Sequence, residues 1–321
     1  MGREPIIIVA GEPNSIFLEI FFKSIKTHRY KSPLVIIASK KLIQQQMKVL
    51  GFTFEINTIN KNFDRFTILN NKKINLIDVQ YKFNNCFEKI SVRSYNYINK
   101  SFEIALKILI KNKFNKFING PISKKHFLKG KSLGITEYLA KKTKKKSNVA
   151  MLIFNEKLSV SPITTHLALK DVHKNISKQK IYTHVRLINE FYIKNFKKKP
   201  SIAITGLNPH CESNFKNCEE DSTIIPAIRK LRSKNFKVEG PFPADTIFMK
   251  EHLKKFDVII GMYHDQVLTP MKALFAFDAI NITLGLPFVR LSPDHGPNYS
   301  MLGKNLSNPK SLIKALKFLD R

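Results

Sequence analysis

The chain has 321 residues, 43% of them hydrophobic, and its 55 Lys and Arg against 24 Asp and Glu leave a net charge of +31. That length suits about two domains with a sizeable core, and the apolar fraction excludes a disordered polymer. No apolar run approaches the roughly 20 residues that cross a bilayer, and Ile6-Ile-Ile-Val-Ala10 is too short for a secretory core, so a soluble, cytoplasmic protein with no membrane contact is expected.

The elements alternate along the chain. Pro5 to Ala10 reads as a first strand and Ser15 to Lys26 as a helix with Ile16/Ile20 and Leu18/Phe22 at helical spacing. Leu34 to Ala38 is a second strand; Ser39 caps a helix from Lys40 to Leu50, which Gly51 stops. Phe52 to Ile90 is Asn-rich and reads as irregular. A long helix follows over Tyr95 to Lys111, then a strand over Phe117 to Asn119. After the turn Asn119-Gly-Pro-Ile-Ser-Lys124 comes a helix through Glu137-Tyr-Leu-Ala140. Val149 to Phe154 and Leu158 to Pro162 resemble a hairpin, which predicts a mixed sheet. The second half continues with a helix from Ser177 to Lys194 and a strand from Ile202 to Thr205. Next comes a helix from Asp221 or Ser222 to Lys234, with Pro226 awkward in its first turns. A strand at Val258 to Gly261, a helix near Thr269 to Phe275, a strand at Ala279 to Thr283 and a helix from Asn308 to Leu319 complete the pattern. The fold class is α/β with two lobes.

The charge invites a nucleic-acid reading, but such binders focus their cations on one face with Arg and aromatic residues interleaved. Here 46 of the 55 basic residues are Lys, scattered among Asn, Ile and Phe. No specific nucleic-acid partner is expected. Cys86, Cys211 and Cys218 are odd in number and lack framework spacing, which points to a reducing compartment, with Cys211 as a loop filler.

Three phrases carry the strongest chemical signal: Leu158-Ser-Val-Ser-Pro-Ile-Thr-Thr-His166, Ser201-Ile-Ala-Ile-Thr-Gly-Leu-Asn-Pro-His210 and Val258-Ile-Ile-Gly-Met-Tyr-His264. Each reads as a short apolar strand running into a polar loop that carries a His. Ligands in open α/β sheets bind beyond the carboxyl ends of the strands, so the three imidazoles can converge on one divalent ion with an open coordination position. Zinc, cobalt, nickel, manganese and magnesium all remain candidates. Asp265, beside His264, and Asp245, in Gly240-Pro-Phe-Pro-Ala-Asp-Thr-Ile-Phe248, are the carboxylates placed to orient those histidines. Lys272 and Arg290 suit the anionic ends of a small molecule, and Thr136 and Asn281 supply neutral hydrogen bonds. Asp294-His295 is a further acid–base pair or a turn. His28, His126, His173, His184 and His252 read as surface residues. Neither Gly-x-Gly-x-x-Gly nor a Walker-type loop occurs, so a Rossmann crevice is excluded.

Taken together, Thr165-His166-Leu-Ala-Leu-Lys-Asp171, Gly206-Leu-Asn-Pro-His210, Gly240-Pro-Phe-Pro-Ala-Asp-Thr246, Tyr263-His-Asp-Gln266 and Asn281-Ile-Thr-Leu-Gly-Leu-Pro-Phe288 resemble the 4-hydroxythreonine-4-phosphate dehydrogenase family of pyridoxal phosphate biosynthesis. The resemblance implies an isocitrate/isopropylmalate dehydrogenase-like fold of two α/β/α lobes with a cleft between them. The first lobe is expected over 1–125 plus 272–321, and the second over 126–271 with the metal histidines and the dimer contacts. It implies a homodimer with the active site at the subunit interface. It also implies NAD- or NADP-dependent, metal-dependent oxidation of 4-phosphooxy-L-threonine, a small phosphorylated amino acid, with decarboxylation to 3-amino-2-oxopropyl phosphate. Carried over by position, His166, His210 and His264 match the family's metal ligands, and Thr136, Lys272, Asn281 and Arg290 match its substrate contacts.

Three departures stand out: Ile135 where the family has a substrate-contacting His, no glycines after Gly11-Glu-Pro, and Leu291 and Pro297-Asn298 near the expected cofactor. They bring in a related dehydrogenase of phosphorylated sugar acids, such as a 4-phospho-threonate or erythronate, as the nearest alternative.

Overall fold

A computed structural model describes residues 3–64, 66–128, 134–145, 148–212, 218–276, 278–293 and 296–321. In chain order the first half contains β1 (Ile6–Val9), α1 (Phe17–Thr27), β2 (Leu34–Ala38), α2 (Lys40–Leu50), β3 (Ile56–Thr58), β4 (Ile74–Asp78), α3 (Tyr95–Asn112), β5 (Lys116–Asn119), α4 (Ile135–Lys142) and β6 (Ala150–Phe154). There follow β7 (Ser159–Thr164), α5 (Lys178–Phe196), β8 (Ile202–Thr205), α6 (Ile225–Ser233), β9 (Val238–Phe242), α7 (Lys250–Leu253), β10 (Val258–Tyr263), α8 (His264–Phe275), β11 (Ile280–Leu284), β12 (Val289–Pro293) and α9 (Lys310–Leu319).

The chain divides into two units, Met1–Ile135 with Pro287–Arg321, and Thr136–Leu286. The divisions fall after Ile135 and Leu286 rather than after 125 and 271. The later shift has a clear cause: β11 pairs with β6 from Ile280↔Phe154 to Leu284↔Ala150, which holds the 280s in the second unit.

The first unit is an all-parallel sheet in the order β3-β4-β2-β1-β5-β12. β1 and β2 are buried along their whole length, as parallel strands covered on both faces must be. α3 lies on β1 and β2, while α1 packs on α2 and α9. Ser39 Oγ accepts from Leu42 N–H to cap α2, and Gly51 at φ 71° ends it in the left-handed conformation that spares glycine a Cβ clash. β3 and β4 lie within the stretch that reads as irregular. Their Asn content hid them, yet Asn75 is buried, with Nδ2 donating to Leu34 O at 3.1 Å and Asn70 O at 2.8 Å.

The second unit orders its strands β11-β6-β7-β10-β8-β9. β7, β10, β8 and β9 are parallel, and β6 runs antiparallel to both β7 and β11, as the hairpin predicts. Alternation along β7 shows how both faces are covered. Val160 joins the core cluster with Ile259, Ala203, Val267 and Met271, the last two from α8. Its neighbours turn the other way, toward α5: Ser159 Oγ meets Tyr192 Oη at 3.0 Å and Ser161 Oγ meets His184 Nδ1 at 3.1 Å. The sheet is thus sandwiched between α8 and α5. His184 is therefore no surface residue: it is buried, and desolvation pushes its pKa down to about 4. Pro226 lies in the first turn of α6, the part of a helix that best tolerates a missing N–H, directly after a π-helical turn at Glu220–Ile224.

One buried acid in the first unit links pH to folding. Glu12 is 1% exposed, accepts from Ser94 Oγ at 3.0 Å and Asn14 N–H at 3.4 Å, and burial drives its pKa up to about 7. The unfolded chain releases this proton near the ordinary 4.5, whereas the folded chain keeps it to about 7. Folding is therefore weakened as pH rises through that window, by roughly 3 kcal/mol at its upper end. Glu12→Gln is expected to flatten this part of the stability profile, which urea unfolding at pH 5 and 7.5 will measure.

Candidate active site

Three adjacent parallel strands, β7, β10 and β8, end side by side, and each is followed closely by one of the histidines singled out in the sequence. Adjacent strands lie about 4.8 Å apart, so their carboxyl ends form one small platform. His166 sits in the loop two residues past β7. His264 is not in a loop: it is the first residue of α8, a helix that starts earlier than its sequence suggests and tolerates Pro270 inside it. His210 lies in a short 3₁₀ turn after β8, at φ 56° and ψ 11°, and Cys211 follows at φ 60°. Two successive non-glycine residues in the left-handed region are strained and must be held by their surroundings.

The His166 and His264 ring centroids are 5.7 Å apart. With metal–nitrogen bonds near 2.1 Å, two imidazoles on one tetrahedral ion would have centroids about 5 Å apart, so this pair stands close to a ligating separation. His264 Nδ1 bonds Asp265 Oδ1 at 2.6 Å, which directs the lone pair of Nε2 outward. The donor chemistry fits a divalent ion. His210 is not gathered with them: among the described residues, no three His, Cys, Asp or Glu side chains come close enough together to hold an ion. Asp245 is exposed in the turn after β9, and its negative charge is among the causes that raise the Cys211 thiol pKa, behind burial.

A second group forms beside the first. Thr136, buried at the start of α4, places Oγ1 3.2 Å from Thr283 Oγ1 on β11. Asn281 lies two residues before Thr283, hence on the same face of that strand, and its buried Oδ1 has no partner. The sequence motifs missed Glu137. Its Oε1 accepts from Thr165 Oγ1 at 3.3 Å, immediately before His166, while its Oε2 is buried without a partner. Glu137 thus joins the helix of Thr136 to the loop of His166. Only the orphaned oxygen betrays it, and that arises from tertiary packing.

Lys272 is half-buried on α8, and desolvation lowers its pKa. Arg290, on β12 of the first unit, is 1% exposed, and its Nε donates to Asn119 Oδ1 at 2.7 Å. Asp294 and His295 lie outside the described residues. A cavity of about 710 Å³ opens in the first unit beside Lys40, Lys41, Asp78, Lys82 and Arg93. None of the site residues read from the sequence lines it, and cations are too widespread here for charge alone to select it.

The family model described as "Pyridoxal phosphate biosynthetic protein PdxA" matches residues 29–319. The chain belongs to this family. A 4-hydroxythreonine-4-phosphate dehydrogenase of Sulfurihydrogenibium sp. (strain YO3AOP1) is 38% identical over 317 residues, covering 97% of this chain and 96% of its own. The crystal structure of a 4-hydroxythreonine-4-phosphate dehydrogenase from Klebsiella pneumoniae superposes with a TM-score of 0.82 at 27% identity, covering 98% of this chain and 97% of that one. An isocitrate dehydrogenase from Methylococcus capsulatus, at 9% identity and a TM-score of 0.51 over 98% of this chain and 84% of its own, shares the fold alone. The architecture is therefore of the isocitrate dehydrogenase kind.

Asn119 holds a buried guanidinium, so truncating it is costly. Asn119→Ala is expected to destabilise the protein by about 1.5 to 3 kcal/mol, with an unchanged denaturant slope in urea unfolding.

Proposed function

We propose that this chain is an NAD- or NADP-dependent, divalent-metal-dependent dehydrogenase that oxidises 4-phosphooxy-L-threonine and decarboxylates it to 3-amino-2-oxopropyl phosphate, in pyridoxal phosphate biosynthesis. Family membership makes it an oxidoreductase of this pathway. One observation carries the metal part: His166 and His264 face each other at 5.7 Å beyond adjacent strand ends, with His264 steered by Asp265. In this reading His166 and His264 hold the ion and His210 completes the set.

When bound, a divalent ion supplies Lewis-acid stabilisation of negative charge on the substrate's oxygen, and the nicotinamide supplies a hydride acceptor. The chain's own residues bind and orient. Asp265 fixes the ring of His264 and keeps its Nδ1 occupied. Thr136 and Asn281 offer a hydroxyl and an amide on one face, and the unpartnered Asn281 Oδ1 supports a ligand there. Lys272 takes an anionic end, and its partial burial strengthens that pairing. Arg290, rigidly held by Asn119, serves as a second cation. In the overall reaction the secondary alcohol loses hydride from carbon and a proton from oxygen. The resulting β-keto acid then releases carbon dioxide, leaving its electron pair on the neighbouring carbon for reprotonation.

The homodimer with its active site at the subunit interface is what the family resemblance implies. Free Cys86, Cys211 and Cys218 support a reducing, cytoplasmic setting. Among the described residues, no helix is long and apolar enough to cross a membrane.

The test is NADH or NADPH formation with 4-phosphooxy-L-threonine. Chelator should abolish turnover, added zinc or cobalt should restore it, and His166→Ala or His264→Ala should lower kcat/KM by about a hundredfold or more. Turnover that survives chelation would remove the metal from the mechanism. Faster oxidation of 4-phospho-threonate would reassign the substrate and implicate Ile135.

A further inference from the structure

Glu220 belongs to none of the sequence motifs, yet its carboxylate is buried, 1% exposed, against the loop that leads to His210. Its Oε1 accepts two backbone N–H groups, from Leu207 at 2.7 Å and Asn208 at 2.9 Å. Its Oε2 accepts from the side-chain Nδ2 of Asn208 at 2.8 Å, and Glu219 Oε2 lies 3.1 Å from the same nitrogen. Gly206 makes this approach possible. A Cβ there would sit 2.8 Å from Cys211 Sγ and 3.0 Å from Glu220 Oε1.

Gln266 closes the other side. It stands two residues after His264, in the first turn of α8. Its Nε2 donates to Gly206 O at 2.8 Å, and its Oε1 accepts from Met262 N–H at 2.6 Å and Thr205 Oγ1 at 2.9 Å. The chain from Thr205 to Asn208 is therefore bonded at every residue, either to Glu220 or to the helix that His264 begins. This grip ends two residues before the strained backbone of His210 and Cys211.

We propose that Glu220 is a positioning residue for His210: the carboxylate–amide clamp Glu220–Asn208, braced by Gln266, fixes the backbone from which the His210 side chain, not gathered with His166 and His264 in this structure, would turn to join them on the metal. The proposal rests on the metal reading above and adds to it a residue that touches neither ion nor substrate. Without the clamp, the left-handed turn at His210 relaxes and the third ligand is delivered with lower probability.

The experiment titrates metal-free protein with Co²⁺ in competition with a chromophoric chelator, and follows cobalt absorption and the melting temperature of the metal-free protein. Glu220→Gln turns an acceptor into an amide N–H₂ facing the Asn208 amide, donor against donor. It should weaken Co²⁺ binding by about 10- to 100-fold, the range for groups that orient metal ligands, and lower the cobalt absorption. His210→Ala should weaken binding at least as much, and adding Glu220→Gln to it should change little. Asn208→Ser, which removes the amide without touching the carboxylate, stands in should Glu220→Gln not fold. If the wild-type protein holds no Co²⁺, the metal reading and the clamp fall together. If His210→Ala loses affinity while Glu220→Gln and Asn208→Ser keep it, the metal reading stands and the clamp is overturned.

Discussion

The carboxyl ends of β7, β10 and β8 are tied together by buried side chains, and the candidate site depends on that tie. These strands are parallel, so no hairpin sets their relative positions, and long crossovers join them. The ladders give the register, with Tyr263 opposite Thr164 and Ile260 opposite Ile204. Beyond the ladders, Thr164 Oγ1 donates to Met262 O at 2.8 Å, and the Gln266 amide bonds Met262, Thr205 and Gly206. A slip of one residue between any two of these strands would orphan several buried polar groups at once, and each orphan costs about 1 to 3 kcal/mol. The register at the strand ends is therefore sharply defined, and so are the points from which the three histidine backbones depart.

Two histidines in the second unit show how surroundings separate structure from chemistry. His184 and His264 both contact a neighbouring side chain through Nδ1. His184 is buried under α5 with Ser161, and desolvation holds it neutral well below physiological pH. His264 is half-exposed at a helix start beside a carboxylate and opposite another imidazole. The first arrangement satisfies a core polar group; the second leaves a nitrogen lone pair available to a ligand.

Much of this was legible from residue patterns because local and tertiary preferences agree. The β-branched run of β1, the Ser39 cap, the Gly51 stop and the β6–β7 hairpin all needed only neighbours in sequence. The failures fall where distant partners decide. β4 was hidden because Asn75 reads as loop but is satisfied by Leu34 and Asn70 carbonyls. α8 starts at His264 rather than near Thr269 because its first turn is anchored by Gln266 and its apolar face by Val267 and Met271, which outweighs Pro270. Within the site, the motifs marked each His but could not reveal Glu137 or Glu220. A carboxylate's role is set by which N–H or O–H groups reach it, and those came from residues 12 and more positions away.

The same logic sorts the charges of a very basic chain. Among the described residues, the buried charged side chains are Glu12, Glu19, Glu220 and Arg290, and no Lys is buried. The excess positive charge is therefore left in water, where it shapes encounters with anions and does little to the fold. Two of the buried acids, equally inaccessible at 1% exposure, titrate in opposite directions. Desolvation is the leading cause for both. In Glu12 a single hydroxyl and one long N–H contact fail to offset it, and the pKa rises to about 7. In Glu220 the backbone and side-chain donors of Asn208, with Leu207, overcome it and the pKa falls. Glu12 is the more deeply packed and has the fewer donors, so burial and hydrogen-bond supply together decide which carboxylate stays charged. The fold has spent that supply on the acid that grips the His210 loop.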